Sequence, residues 1–137
     1  MAAQLHTYAF AHRNDAAATY RRIDVAGRTS GADGPALVQL LYEELVSALR
    51  AAAFAAEQGQ GARKSDRVTR ATAILFALEA GLDHQGNPEL SGTLSRLYAG
   101  ARRTIVEASI GHDPAPFRDS AAMLEEIGAA WRTARAA

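Results

Sequence analysis

The sequence predicts an all-α protein: an antiparallel, up-down four-helix bundle with a short extra helix on its N-terminal side. Three observations predict it. Alanine supplies 32 of the 137 residues, against nine aromatics; its high helix propensity and small bulk favour close-packed helices over sheets. Apolar residues recur at alternating steps of three and four, the spacing of a buried helix stripe. The stripes are separated by short Gly, Pro, Asn and Asp clusters, and connections of about five to seven residues force neighbouring helices to run antiparallel.

Residues 1–14 show no sustained period and are expected to form a flexible tail, leaving 15–135 as a single bundle domain. Asp15 can cap a short helix over 16–26, with Tyr20 and Ile23 on one face. Residues 27–34 read as a loop from their glycine and serine content. Pro35 opens the next helix as a first-turn proline, whose missing N–H costs nothing there, and Gly59-Gln60-Gly61 stops it near 58. Ser65 or Asp66 caps a helix over 66–82 carrying Val68, Ala71, Leu75, Leu78 and Leu82. Asn87-Pro88-Glu89 is a start signal of cap, first-turn proline and acid, and opens a helix over 88–110. Its stripe is Leu90, Leu94, Leu97, Ala101, Ile105 and Ala108. Asp113-Pro114 opens the last helix, 114–134, with Phe117, Ala121, Leu124, Ile127 and Trp131 facing inward.

Composition excludes several function classes. Fifteen basic residues balance fifteen acidic ones, which gives no strongly basic face for nucleic acid or an anionic membrane. Lys64 is the only lysine and does not follow a glycine in phosphate-loop order. Without cysteine there is no disulfide, thiolate metal site or thiol nucleophile. No apolar run reaches the roughly 18 residues of a membrane span, and the first residues lack a secretory signal pattern. The expected location is cytoplasmic.

Catalysis needs convergent groups, and none converge here. His6, His12, His84 and His112 fall in the tail or in connections, without the spacing that puts two metal ligands on one helix face. Glu43-Glu44 and Glu125-Glu126 point about 100° apart on a helix and cannot act as a carboxylate couple. The serines have no nearby helical histidine and no Gly-x-Ser-x-Gly elbow. The expectation is a protein that is not an enzyme, with no cofactor and no metal.

The helix over 35–58 is more apolar than one packed face requires. At about 100° per residue its apolar arc spans about 240°, interrupted by Glu44, whereas one buried face needs somewhat over 100°. Val38, Tyr42 and Val46 make up the surplus. Phe76, Tyr98 and Val106 on the following helices also fall outside their stripes. Extra apolar residues at a core edge are one explanation; a docking surface is the other.

Three segments carry a family resemblance. Thr19-Tyr20-Arg21-Arg22-Ile23-Asp24-Val25 precedes Leu37-Val38-Gln39-Leu40-Leu41-Tyr42-Glu43. Ala80-Gly81-Leu82-Asp83 precedes Pro88-Glu89-Leu90 and Leu94-Ser95-Arg96-Leu97-Tyr98. Met123-Leu124-Glu125-Glu126-Ile127 precedes Ala130-Trp131. In this order they resemble the flagellar secretion chaperones of the FliS family. The chain departs from the family pattern at Asp33-Gly34-Pro35, where the proline is shifted by one position, and at Thr93, where the family often has Asn.

The resemblance implies a four-helix bundle that holds the disordered C-terminal segment of flagellin, keeps it from polymerising and delivers it for export, with an export-gate protein or flagellar regulator as a possible further partner. The expected contacts are Tyr20, Ile23, Val38, Tyr42, Val46, Phe76, Tyr98 and Val106 in a one-to-one complex, with the chain otherwise a monomer or weak dimer. The alternatives are a homodimeric helical scaffold that pairs through the same face and, more remotely, an RNA-binding module, which the neutral charge disfavours.

Overall fold

A computed structural model of the protein describes residues 34–136. They form four helices: α1 (Gly34–Glu57), α2 (Gly61–Ala80), α3 (Pro88–Ala108) and α4 (Ala115–Ala136). The expected tail, the helix over 16–26, and with them Tyr20 and Ile23, lie outside the described residues. No strand occurs among those that are described.

The helix ends follow local chemistry. Asn87 accepts the Leu90 N–H at 3.1 Å with its side chain, and Pro88 occupies the first turn of α3 beside Glu89. Asp113 accepts the Ala115 N–H at 3.0 Å as α4 begins. Between α1 and α2 the chain turns on Gly59, whose φ of +68° suits a residue without a side chain.

The expected start of the second helix at 66 is corrected: α2 begins five residues earlier, at Gly61. Ala62, Arg63 and Lys64 are good helix formers, and no Ser or Asp side chain caps the start. Lys64 adds a tertiary reason. It is buried, and its Nζ donates to the Gly111 carbonyl at 2.7 Å, tying the first turn of α2 to the chain just past α3.

In the bundle, α1 packs between α2 and α4, α2 also packs on α3, and α3 closes the ring against α4. Pairs such as Arg50–Glu125 and Glu57–Arg118, whose numbers rise on one helix as they fall on the other, set α1 and α4 antiparallel. The large side chains that α1 puts into the core are Leu37, Leu41, Tyr42, Leu45 and Leu49. Its second half supplies Ala48, Ala52, Ala53 and Ala56, which let neighbouring backbones come close. Phe117, Leu124 and Trp131 fill the core from α4, and Ile74, Leu75 and Ile105 from α2 and α3. Each large side chain buried this way contributes about 1.5–3 kcal/mol.

Flanked on two sides, α1 hides most of its wide apolar arc. Val38, Tyr42 and Val46 are 2 %, 1 % and 8 % exposed. The expected surplus on α1 is therefore covered in the folded chain, where α2 and α4 flank this helix. Tyr98, expected outside its stripe, is corrected. It lies four residues after Leu94 and three before Ala101, hence on the same helix face, and it is fully buried.

Candidate functional site

Among the described residues, two surface features bear on the expected contact residues, apart from a groove of about 550 Å³ between α3 and α4 that none of them lines. The first is a groove of about 390 Å³ along the α1–α4 seam, walled by Gln39, Tyr42 and Val46 of α1 and by Leu124 and Gly128 of α4. Gly128 faces Tyr42 across the seam. A Cβ there would lie 3.4 Å from the Tyr42 Cβ, so the missing side chain lets α4 settle against the tyrosine. Arg50 bridges the seam with two 3.1 Å hydrogen bonds to the Glu125 carboxylate. That guanidinium holds the Glu125 carboxyl below the usual range.

Beneath this groove the Tyr42 hydroxyl lies 2.5 Å from that of Tyr98. Burial pushes the Tyr42 phenol up to about 12, partly offset by hydrogen bonds from Tyr98 and Trp131. A group so hard to ionise is a structural hydroxyl at neutral pH and is not poised for proton transfer.

The second feature is an open apolar strip across α2 and α3. Phe76 is 56 % exposed and Val106 48 %. Arg102 lies 4.0 Å over the Phe76 ring and is ion-paired with Glu79 at 2.5 Å. Glu79 also accepts from the Ser95 hydroxyl at 3.3 Å. Val106 is one helical turn beyond Arg102, and Ile110, more exposed still, is one turn further.

Of the expected contact residues, Phe76 and Val106 are open and share one face. Tyr42 and Val46 reach the groove wall from the core, Val38 is buried beside them, and Tyr98 is sealed inside. Sequence reasoning missed Phe54, Ile110 and Gln39. Phe54 was detectable: it falls on the polar arc of α1 with Glu43, Ser47 and Arg50. Among the described residues no group of His, Asp and Glu could hold a metal ion, and no helix is long and apolar enough to cross a membrane.

Fold and surface together define a class: an all-α bundle whose distinctive features are a seam walled by apolar and charged side chains and an exposed apolar strip, with no group of side chains that could hold a metal ion among the described residues. Comparison with known proteins narrows it. The family model described as flagellar protein FliS matches residues 16–137. The chain is 30 % identical over 112 residues to flagellar secretion chaperone FliSB of Pseudomonas aeruginosa, covering 82 % of this chain and 89 % of that one. It is 28 % identical over 114 residues to flagellar secretion chaperone FliS of Salmonella typhimurium, covering 82 % and 84 %. The chaperone FliS of Vibrio cholerae is 26 % identical over 112 residues, covering 82 % of each chain. The chain belongs to the FliS family.

Proposed function

We propose that this protein is a cytosolic export chaperone that binds the disordered C-terminal segment of flagellin one-to-one, prevents its premature polymerisation and assists its secretion. Family membership and the names of its relatives support the chaperone role. The observation that carries the binding surface is the strip on α2 and α3, where Phe76 and Val106 stand about half open. A flagellin tail rich in apolar helix-forming sequence would otherwise assemble with its neighbours. An apolar surface that covers it suppresses that assembly.

In this reading the tail runs along the strip and into the α1–α4 seam, where it meets Val46, the edge of Tyr42 and the neighbouring Val38. Tyr98 supports the seam from beneath. Tyr20 and Ile23 belong to the segment that would cover part of this surface in the absence of client. Ordering a disordered client costs about 2–5 kcal/mol, so a long wrapped contact is required. The deciding experiment is a calorimetric titration of the full chain with a C-terminal flagellin segment from the same cell. Saturable one-to-one binding is expected, and its absence refutes the reading.

A further inference from the structure

Phe76 is braced where an exposed ring is ordinarily loose. Phe76 and Glu79 are three apart on α2 and share a face, and Ser95 and Arg102 lie two turns apart along one face of α3. The two faces meet in a row. The Ser95 hydroxyl donates to Glu79 Oε1 at 3.3 Å, Arg102 donates to Glu79 Oε2 at 2.5 Å, and the Arg102 guanidinium lies 4.0 Å over the centre of the Phe76 ring. The side chains of Arg102 and Glu79 are mostly covered, at 19 % and 29 % exposed, while Phe76 at the end of the row stands open. The row serves no packing purpose at that end. Leu75, Ala77 and Leu78 around Phe76 are buried in the core, and Phe76 is not.

We propose that Arg102 is a positioning residue for client binding: it fixes the pose of the Phe76 ring in the free protein, so that the open part of the ring is presented ready-made. The inference rests on the reading of the α2–α3 strip as the docking surface for a flagellin segment. A bare phenylalanine on a helix surface turns about two side-chain bonds, and freezing it on binding costs affinity. A ring already held by a cation on its face has met that cost before the client arrives. The hold needs arginine in particular. A guanidinium is planar, so it can lie along the ring, and it is forked, so its edge can reach Glu79 at the same time. Glu79 in turn keeps the strip electrically balanced at this point, which leaves a neutral apolar surface for an apolar segment. Arg102 therefore acts on the client through Phe76 and makes no salt bridge to it.

The test is a double-mutant cycle on the full chain, titrated with a C-terminal flagellin segment from the same cell. Arg102→Ala should keep its helical circular dichroism and bind the segment about fivefold more weakly. Arg102→Lys should recover little of that loss, since an ammonium has neither the plane nor the fork. In a Phe76→Ala background, Arg102→Ala should cause no further loss, because the brace then has no ring to hold. The free protein gives a readout that needs no client: ring current from Phe76 should move the Arg102 side-chain proton resonances upfield, and Phe76→Ala should return them to ordinary arginine positions. Ordinary positions in wild type overturn the inference, as does unchanged affinity of Arg102→Ala. So does an undiminished fivefold loss in the Phe76→Ala background, which would make Arg102 a direct client contact. Phe76→Ala binding as tightly as wild type removes the strip as the docking surface, and failure of wild type to bind removes the chaperone reading itself.

Discussion

The phenol oxygens of Tyr42 on α1 and Tyr98 on α3 lie 2.5 Å apart and join two helices that face each other diagonally across the bundle. Both side chains are 1 % exposed, so the pair is shut away from water. Removing one hydroxyl takes this hydrogen bond from its partner in the core, at about 1–3 kcal/mol. Tyr42→Phe and Tyr98→Phe are each expected to lower stability by an amount in this range. The double variant should cost less than the sum of the singles. Denaturant melts of the four proteins measure the coupling, and strict additivity would mean that the bond contributes nothing.

The same pair makes the fold sensitive to alkali. The Tyr42 pKa is raised from 10.0 to about 12 in the folded chain, so the unfolded chain gives up this proton first as pH rises. The stability held by the neutral phenol is complete below about pH 10 and is lost as pH climbs towards 12. The loss is roughly 2–3 kcal/mol for a shift of this size. Melts of wild type between pH 9 and 12 should show this decline, and Tyr42→Phe should show a shallower one.

Much of this architecture was legible in the sequence, and the rest was hidden for physical reasons. The starts at Asn87-Pro88 and Asp113-Pro114 are local devices, and local chemistry can be read from a few residues. The start of α2 was not legible, because the tie from Lys64 to Gly111 spans 47 positions and Ser65-Asp66 offered a competing cap. The wide apolar arc of α1 was visible, yet its meaning depended on how many neighbours would cover it. Gln39 looked like any polar helix residue; the burial of its unpaired amide is a property of the assembled seam.

The strip on α2 and α3 can be tested without touching the core. Tyr42 and Val46 are poor probes, because a charge placed there is buried in the bundle and unfolds it. Phe76→Asp with Val106→Asp replaces two side chains that are already about half in water. The double variant should keep its helical circular dichroism and lose at most about 1 kcal/mol of stability, including the Arg102–Phe76 stack. Its affinity for the flagellin segment should fall by at least tenfold. Undiminished binding would move the client off this face.

Lys64 is the only lysine in the chain, and it is buried with its amine on the Gly111 carbonyl. Lys64→Met keeps the apolar stem and removes the charged donor. A hydrogen bond from a charged group contributes about 1.5–3 kcal/mol, and the variant should lose about that much in thermal or denaturant melts. Acylation of Lys64, followed by peptide mass spectrometry, should be slow in the folded protein and fast in urea. Equal rates in the two states would show that the tie does not persist in solution.

Gly128 decides how closely α4 can approach Tyr42. Alanine there gains about 0.8–1.0 kcal/mol of helix propensity. Its Cβ would sit 3.4 Å from the Tyr42 Cβ and 3.6 Å from Cγ and Cδ1, at the near edge of ordinary contact. Gly128→Ala should therefore be neutral or stabilising by less than about 1 kcal/mol, with part of the propensity gain offset by crowding. Gly128→Leu has no such room. It must push the helices apart over a tyrosine pinned by Tyr98, and should destabilise by about 1–3 kcal/mol or more. Melting curves of the two variants provide the check. If leucine were tolerated as well as alanine, the close approach of the two helices at this point would be wrong.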